Sequence, residues 1–101
     1  SDAPAWTTAA GSIYSGGSTV STITLSATGA TSFAVTTSAV PTGLTFTSGT
    51  GSCTIAGTQT EFTAAATKNF SITATDAEGQ TAVRAFSMSF SFAVANSGQF
   101  N

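Results

Sequence analysis

Phe86-Ser87-Met88-Ser89-Phe90-Ser91-Phe92-Ala93-Val94 puts an apolar side chain at every even position and a serine or alanine at each position between. Successive side chains on a β-strand point to opposite faces, so period two marks a strand with one face on a core and the other in water. The alternation recurs upstream. Ile23, Leu25 and Ala27 alternate with Thr24 and Ser26, and Phe33 and Val35 with Ala34 and Thr36. Leu44 and Phe46 bracket Thr45, Cys53 and Ile55 bracket Thr54, and Phe70, Ile72 and Ala74 alternate with Ser71, Thr73 and Thr75. No stretch of comparable length has helical spacing, and Thr, Val, Ile and Phe favour strands. Val20 breaks parity with Ile23, and Val83 with Phe86; each is expected to be a bulge or a strand start.

Short turn signals separate the runs: Gly16-Gly17, Thr28-Gly29, Pro41-Thr42-Gly43, Ser48-Gly49-Thr50-Gly51 and Asp76-Ala77-Glu78-Gly79. About seven short strands at this spacing in a chain of 101 residues predict an all-β, immunoglobulin-like sandwich of antiparallel strands in a single domain. Residues 1–4 read as an entry segment and 95–101 as a tail. The chain contains no internal repeat.

Composition excludes several functions. Thr (21), Ala (18) and Ser (15) make up more than half of the residues, and only 6% are charged. Disorder usually goes with few aromatics and high net charge, whereas this chain has eight phenylalanines and a net charge of −2. Without histidine and with one cysteine, it can build neither a Cys/His zinc site, nor a Ser-His-Asp triad, nor an internal disulfide. Lys68 and Arg84 are its only basic residues, too few to follow a phosphate backbone, so no nucleic-acid partner is expected. Residues 3–60 are uncharged, but polar residues interrupt every apolar run well short of the ~20 residues a spanning helix needs, so no membrane insertion is expected. No basic segment precedes an apolar one as in a signal peptide. The start at Ser1 is read as processing or as a cut from something longer.

Val40-Pro41-Thr42-Gly43-Leu44-Thr45-Phe46, followed by Thr50-Gly51 and Ile55-Ala56-Gly57-Thr58, resembles the LPxGL…TGxIxGTP stretch of a family of immunoglobulin-like repeats. These cadherin-like, dystroglycan-type domains occur in bacterial surface proteins and in structural proteins of tailed phages. Phe70-Ser71-Ile72-Thr73-Ala74-Thr75-Asp76-Ala77-Glu78-Gly79 resembles the family's strand and turn, and Arg84-Ala85-Phe86-Ser87-Met88-Ser89-Phe90 its closing strand. The opening, Pro4 to Ser12, is similar to the entry strand of copies in marine phage virion proteins. There are two departures. Ser52-Cys53-Thr54 replaces one residue between Gly51 and Ile55, implying a longer hairpin or a bulge, and Gln59 stands at the usual proline.

Candidate site residues are few. Asp76 and Glu78 are the one close carboxylate pair, and the resemblance to cadherins makes them, with Asp2, the candidate calcium ligands. Calcium takes six to eight oxygens, and four carboxylates in all are too few without a neighbouring domain, so no cofactor is expected and Asp76 is assigned to a turn. Neither this pair nor Glu61 suits a glycosidase, which needs two carboxylates across a cleft, so no catalytic residue is assigned. Cys53 shares a face with Ile55 and is expected in the core; one unpaired cysteine fits assembly in a reducing cytosol. Asn69-Phe70-Ser71 matches a glycosylation acceptor by chance, and an isopeptide would require Lys68, Glu61 and Asn96 to meet in the core. Trp6 and Tyr14 are the aromatics a glycan could stack on, although Trp6 is expected to anchor the first strand.

The resemblance implies a non-enzymatic structural domain displayed on a virion surface, as a capsid decoration or a tail or fibre component. Its expected partners are other virion or surface-protein subunits, or neighbouring copies. The alternative is a cell-surface adhesin repeat binding a host glycan or calcium. The long final strand, from about Ala82 to Val94, carries no charge after Arg84 and lacks the lysines that usually guard an edge. It is therefore expected to dock by strand pairing, with Trp6, Phe92, Val94 and Phe100 as interface candidates.

Overall fold

The computed structural model describes residues 3–92. They form eight strands: β1 (Ala5–Trp6), β2 (Gly11–Gly16), β3 (Thr19–Thr28), β4 (Ser32–Thr37), β5 (Leu44–Ser48), β6 (Ser52–Thr58), β7 (Ala66–Thr75) and β8 (Thr81–Phe90). Two four-stranded sheets, ordered β1-β3-β6-β5 and β2-β8-β7-β4, face each other. In immunoglobulin lettering these are A-B-E-D and A′-G-F-C, so the sandwich expected from the alternation is the fold.

Two expectations about the strands are corrected. There are eight rather than seven, because the first strand is split between the sheets: β1 pairs with β3 and, after Thr7–Ala10, β2 pairs with β8. The arrangement is also not wholly antiparallel. The chain changes sheets without reversing, so β2 lies parallel to β8. Parallel neighbours normally need a long crossover, and here almost the whole domain lies between the two strands.

The inward residues follow the alternation. Leu25, Ala27, Cys53 and Ile55 from one sheet meet Phe33, Phe70, Ile72, Ala74, Phe86, Met88 and Phe90 from the other, all buried. Val20 is buried too, and the β3–β6 register shifts between Val20 and Ile23, the bulge its parity implied. Val83 is different. The β7–β8 ladder runs unbroken from Ala66↔Phe90 to Thr75↔Thr81, so Val83 opposite Thr73 is an outer-face residue, 61% exposed, and no bulge. The extra residues Ser52-Cys53-Thr54 lengthen the hairpin without disturbing it: β5 and β6 pair in continuous register from Leu44↔Gly57 to Ser48↔Cys53.

The expectation that the final strand is an open edge is overturned. β8 ends at Phe90 and is paired on both sides, with β2 and with β7, so its backbone is already bonded. Its lack of charge after Arg84 reflects a central strand with small residues outside, not an unguarded edge. Ala93 and Val94 lie outside the described residues.

Candidate interaction surface

The crossover between β1 and β2 is held from both sheets. Thr7 N–H donates to Ser26 O (2.9 Å), and Ser26 N–H donates back to Thr8 Oγ1 (2.9 Å). From the opposite sheet, Arg84 Nη1 donates to Thr8 O at 2.8 Å. Trp6 crosses the core: its Nε1–H donates to Ala82 O at 3.0 Å, and its ring meets Phe33 and Phe86 edge-on, with centroids 5.5 and 5.2 Å away. An indole held by its hydrogen bond and by two rings is an anchor. Tyr14 is engaged as well, donating to Gly17 O (2.7 Å) with its ring tilted against Phe90. Phe92 is half-buried against the core, and Val94 and Phe100 lie outside the described residues.

Asp76 organises the β7–β8 turn. Its Oδ1 accepts the N–H groups of Glu78 and Gln80, both at 2.9 Å, while Gly79, at φ +85°, donates to Asp76 O. The Asp-x-x-Gly frame thus satisfies its own backbone. Glu78 is exposed on the same turn, and Asp2 lies outside the described residues. Among the described residues no three acidic, cysteine or histidine side chains gather as a metal site would require. Adding calcium is therefore expected to leave the Tm unchanged. A rise of several degrees, reversed by chelator, would show that the folded state binds the ion.

Glu61 and Lys68 form an exposed ion pair at 3.1 Å. Glu61 also accepts Thr42 N–H at 3.1 Å, and this bond first, then Lys68, holds its carboxyl below the ordinary carboxylate value. The pair meets at the surface, not in the core as an isopeptide would need, and Asn96 lies outside the described residues. Cys53 is buried, and desolvation pushes its thiol up to about 11, so it behaves as a small hydrophobe and not as a nucleophile. Asn69 is exposed in mid-strand on β7.

The Pro41–Thr58 motif has a steric origin. Leu44 N–H donates to Pro41 O (3.1 Å) across a turn whose third residue, Gly43, has φ +98°, a conformation suited to glycine. Gly57 faces it from β6 at φ +131°, and a Cβ there would lie 2.8 Å from Gly43 O. The two glycines let the turn and the strand touch through their backbones.

Gln59, next along, is a structural residue that its replacement of proline only hinted at. It is buried, and its N–H donates to Ser18 O (3.0 Å), a bond proline could not make. Its side chain accepts Phe62 N–H (2.8 Å) and donates to Phe62 O and Ser18 Oγ (3.0 Å each), closing the loop after β6.

The family model described as "Putative Ig domain" matches residues 3–91. The chain belongs to this family. Neither curated proteins nor solved structures gave a match. Family and fold together mark a structural or adhesion-type domain.

Among the described residues the outer faces of this Ig domain carry hydroxyls and no charge. Thr24, Thr54 and Thr47 form one rank across β3, β6 and β5, with Ser26 opposite Ser52 beside it. On the other sheet Thr67 is opposite Ser89, Asn69 opposite Ser87 and Thr73 opposite Val83. Lys68 and Arg84, the charged residues within strands, pair with buried Met88 and Ile72 and so lie on the inward face, at its margins. A shallow groove of about 300 Å³ on the second sheet is lined by Gly11, Thr37, Asn69, Ser71 and Ser87, together with the buried Phe70 and Phe86. No Asp, Glu, Lys, Arg or Cys side chain lines the groove.

Proposed function

We propose that this Ig domain is a non-enzymatic display module on the surface of a tailed-phage particle, as a capsid decoration or a tail or fibre component, held to neighbouring subunits by strand pairing and apolar contact. The observation that carries the reading is the absence of charged side chains on either outer sheet face among the described residues. Such a surface packs beside copies of itself without like-charge repulsion, and ion pairs cannot dominate its contacts. The likeness of Pro4 to Ser12 to phage virion copies supports the particle over a cell surface. The free, buried Cys53 suits synthesis in a reducing cytosol. The adhesin alternative gains nothing from Trp6 or Tyr14, whose polar atoms are bonded within the domain.

The test is occupancy of the chain on purified particles across a sodium chloride series. Exposed ion pairs are screened over ~10 Å at 0.1 M salt, whereas apolar, backbone-paired contacts persist. Retention in molar salt is expected. Absence of the chain from particles overturns the virion assignment, and release by moderate salt overturns the mode of attachment.

A further inference from the structure

Four strands end the two sheets: β1 and β5 in one, β2 and β4 in the other. An open edge presents unpaired N–H and C=O groups to any extended chain, and proteins blunt it by shortening, bulging, charging or covering the strand. Three of these edges are blunted. β1 has only two residues. β2 shifts register between Ser12 and Tyr14, begins at Gly11 with φ +104°, and has the Tyr14 hydroxyl bonded to Gly17 O and Thr19 O. β4 shifts register between Val35 and Thr37, runs into Ser38 at φ +62°, and has Phe33 N–H capped by Ser48 Oγ at 2.8 Å.

β5 is the least protected of the four, touching β4 only at its end, where Ser48 Oγ accepts Phe33 N–H. It contains no charge, proline or bulge, and β6 is its sole ladder partner among the described residues. In an antiparallel strand alternate residues direct their backbone groups away from the existing partner, so half of the β5 backbone faces outward.

We propose that β5 pairs antiparallel with β5 of a second copy of this chain about a two-fold axis at Phe46, joining two four-stranded sheets into one of eight. The inference rests on the strand-pairing attachment proposed above and names the edge that performs it. The occupant follows from the sequence of the strand. With Phe46 on the axis, Thr45 stands opposite the partner's Thr47 and Phe46 opposite the partner's Phe46. Thr–Thr and aromatic pairs are both favourable across strands, and no like charges meet. A lysine-guarded or charged partner edge would gain no counter-charge here, whereas the strand complements itself.

The flank supports the same side. Phe46 lies opposite buried Ile55 and therefore points between the sheets, as does Leu44, while Val35 points inward from β4. All three, with Val40 of the connecting loop, are only half-buried, so apolar surface lines the open side of the sandwich. A five-residue pairing is small beside a standard interface of roughly 1,600 Å², so the contact is weak between free chains. It strengthens when copies are held close together, as on a particle, where the effective concentration reaches the millimolar range.

The test is sedimentation equilibrium of the full chain up to about 1 mM, with amide exchange measured at low and high concentration. A reversible dimer and concentration-dependent protection confined to 44–48 are expected. Thr45→Lys with Thr47→Lys sets lysine against lysine across the axis; both sites are exposed, so the parental Tm is retained and dimerisation weakens at least about tenfold. Ser87→Lys, in the groove of the other sheet, leaves the dimer intact. A chain monomeric at 1 mM, protection at another strand, or a dimer insensitive to the double lysine variant overturns the proposal. Dimerisation is read without particles and particle occupancy without dimers, so failure of the virion assignment is seen separately.

Discussion

Gly43→Ala is expected to melt the domain at a temperature at least about 12 °C below the parent, or to leave it unfolded. Two costs coincide. At φ +98° an added Cβ is strained whatever the space, and it would stand 3.0 Å from Thr60 N and 3.1 Å from Gln59 Cα, pressed against the Thr58 carbonyl. These atoms are backbone, tied in place by Thr60 N–H to Thr42 O at 2.7 Å, so relief requires β5 and β6 to part. A combined cost of about 3 kcal/mol or more corresponds, at roughly 4–8 °C per kcal/mol for a domain of this size, to the stated shift. Gly17→Ala is the control: nothing lies within 4 Å of its would-be Cβ and its φ is ordinary. If Gly43→Ala melted like Gly17→Ala, the steric account of the motif would be wrong.

Phe90→Ala should cost roughly 3–5 kcal/mol, comparable to the whole stability of many small domains. The ring is 2% exposed and lies 5.6 Å from Tyr14 and 5.9 Å from Phe62, centroid to centroid, so its removal leaves a cavity beside both rings. Val83→Thr, on the same strand but 61% exposed, should stay within about 0.5 kcal/mol of the parent. Thermal or urea unfolding of the two variants measures the contrast directly. Equal melting would contradict the inward assignment of the even positions on β8.

Those even positions were readable because a buried face imposes period two on its own strand. Phe70, Ile72 and Ala74 were readable for the same reason, as was the break at Val20. Which strand lies next to which is not written in any local period. β8 looked like an edge because nothing charged flanks its outer face, yet a central strand covered outside by Ser87, Ser89 and Ala85 has the same pattern. The division of the first strand was hidden too: Thr7-Thr8-Ala9-Ala10 carries neither glycine nor proline, and the bonds that turn it come from Ser26 and Arg84, far along the chain. At the turn, Asp76 was legible because its partners are two and four residues away. Gln59 was not, because its importance lies in a contact with Ser18.

The parallel pairing of β2 with β8 governs how the domain bears tension. The two strands lie side by side and point the same way, from Gly11 beside Phe86 to Gly16 beside Phe90. A pull applied to the chain before β2 and after β8 therefore grips them at opposite ends and slides one along the other. Under that load the bonds between them are sheared together, instead of opening one after another as at the mouth of a hairpin. Trp6 and Arg84 add side-chain bonds, to Ala82 O and Thr8 O, that tie the segment just before β2 to β8. Load along that line is therefore borne by the whole β2–β8 ladder at once.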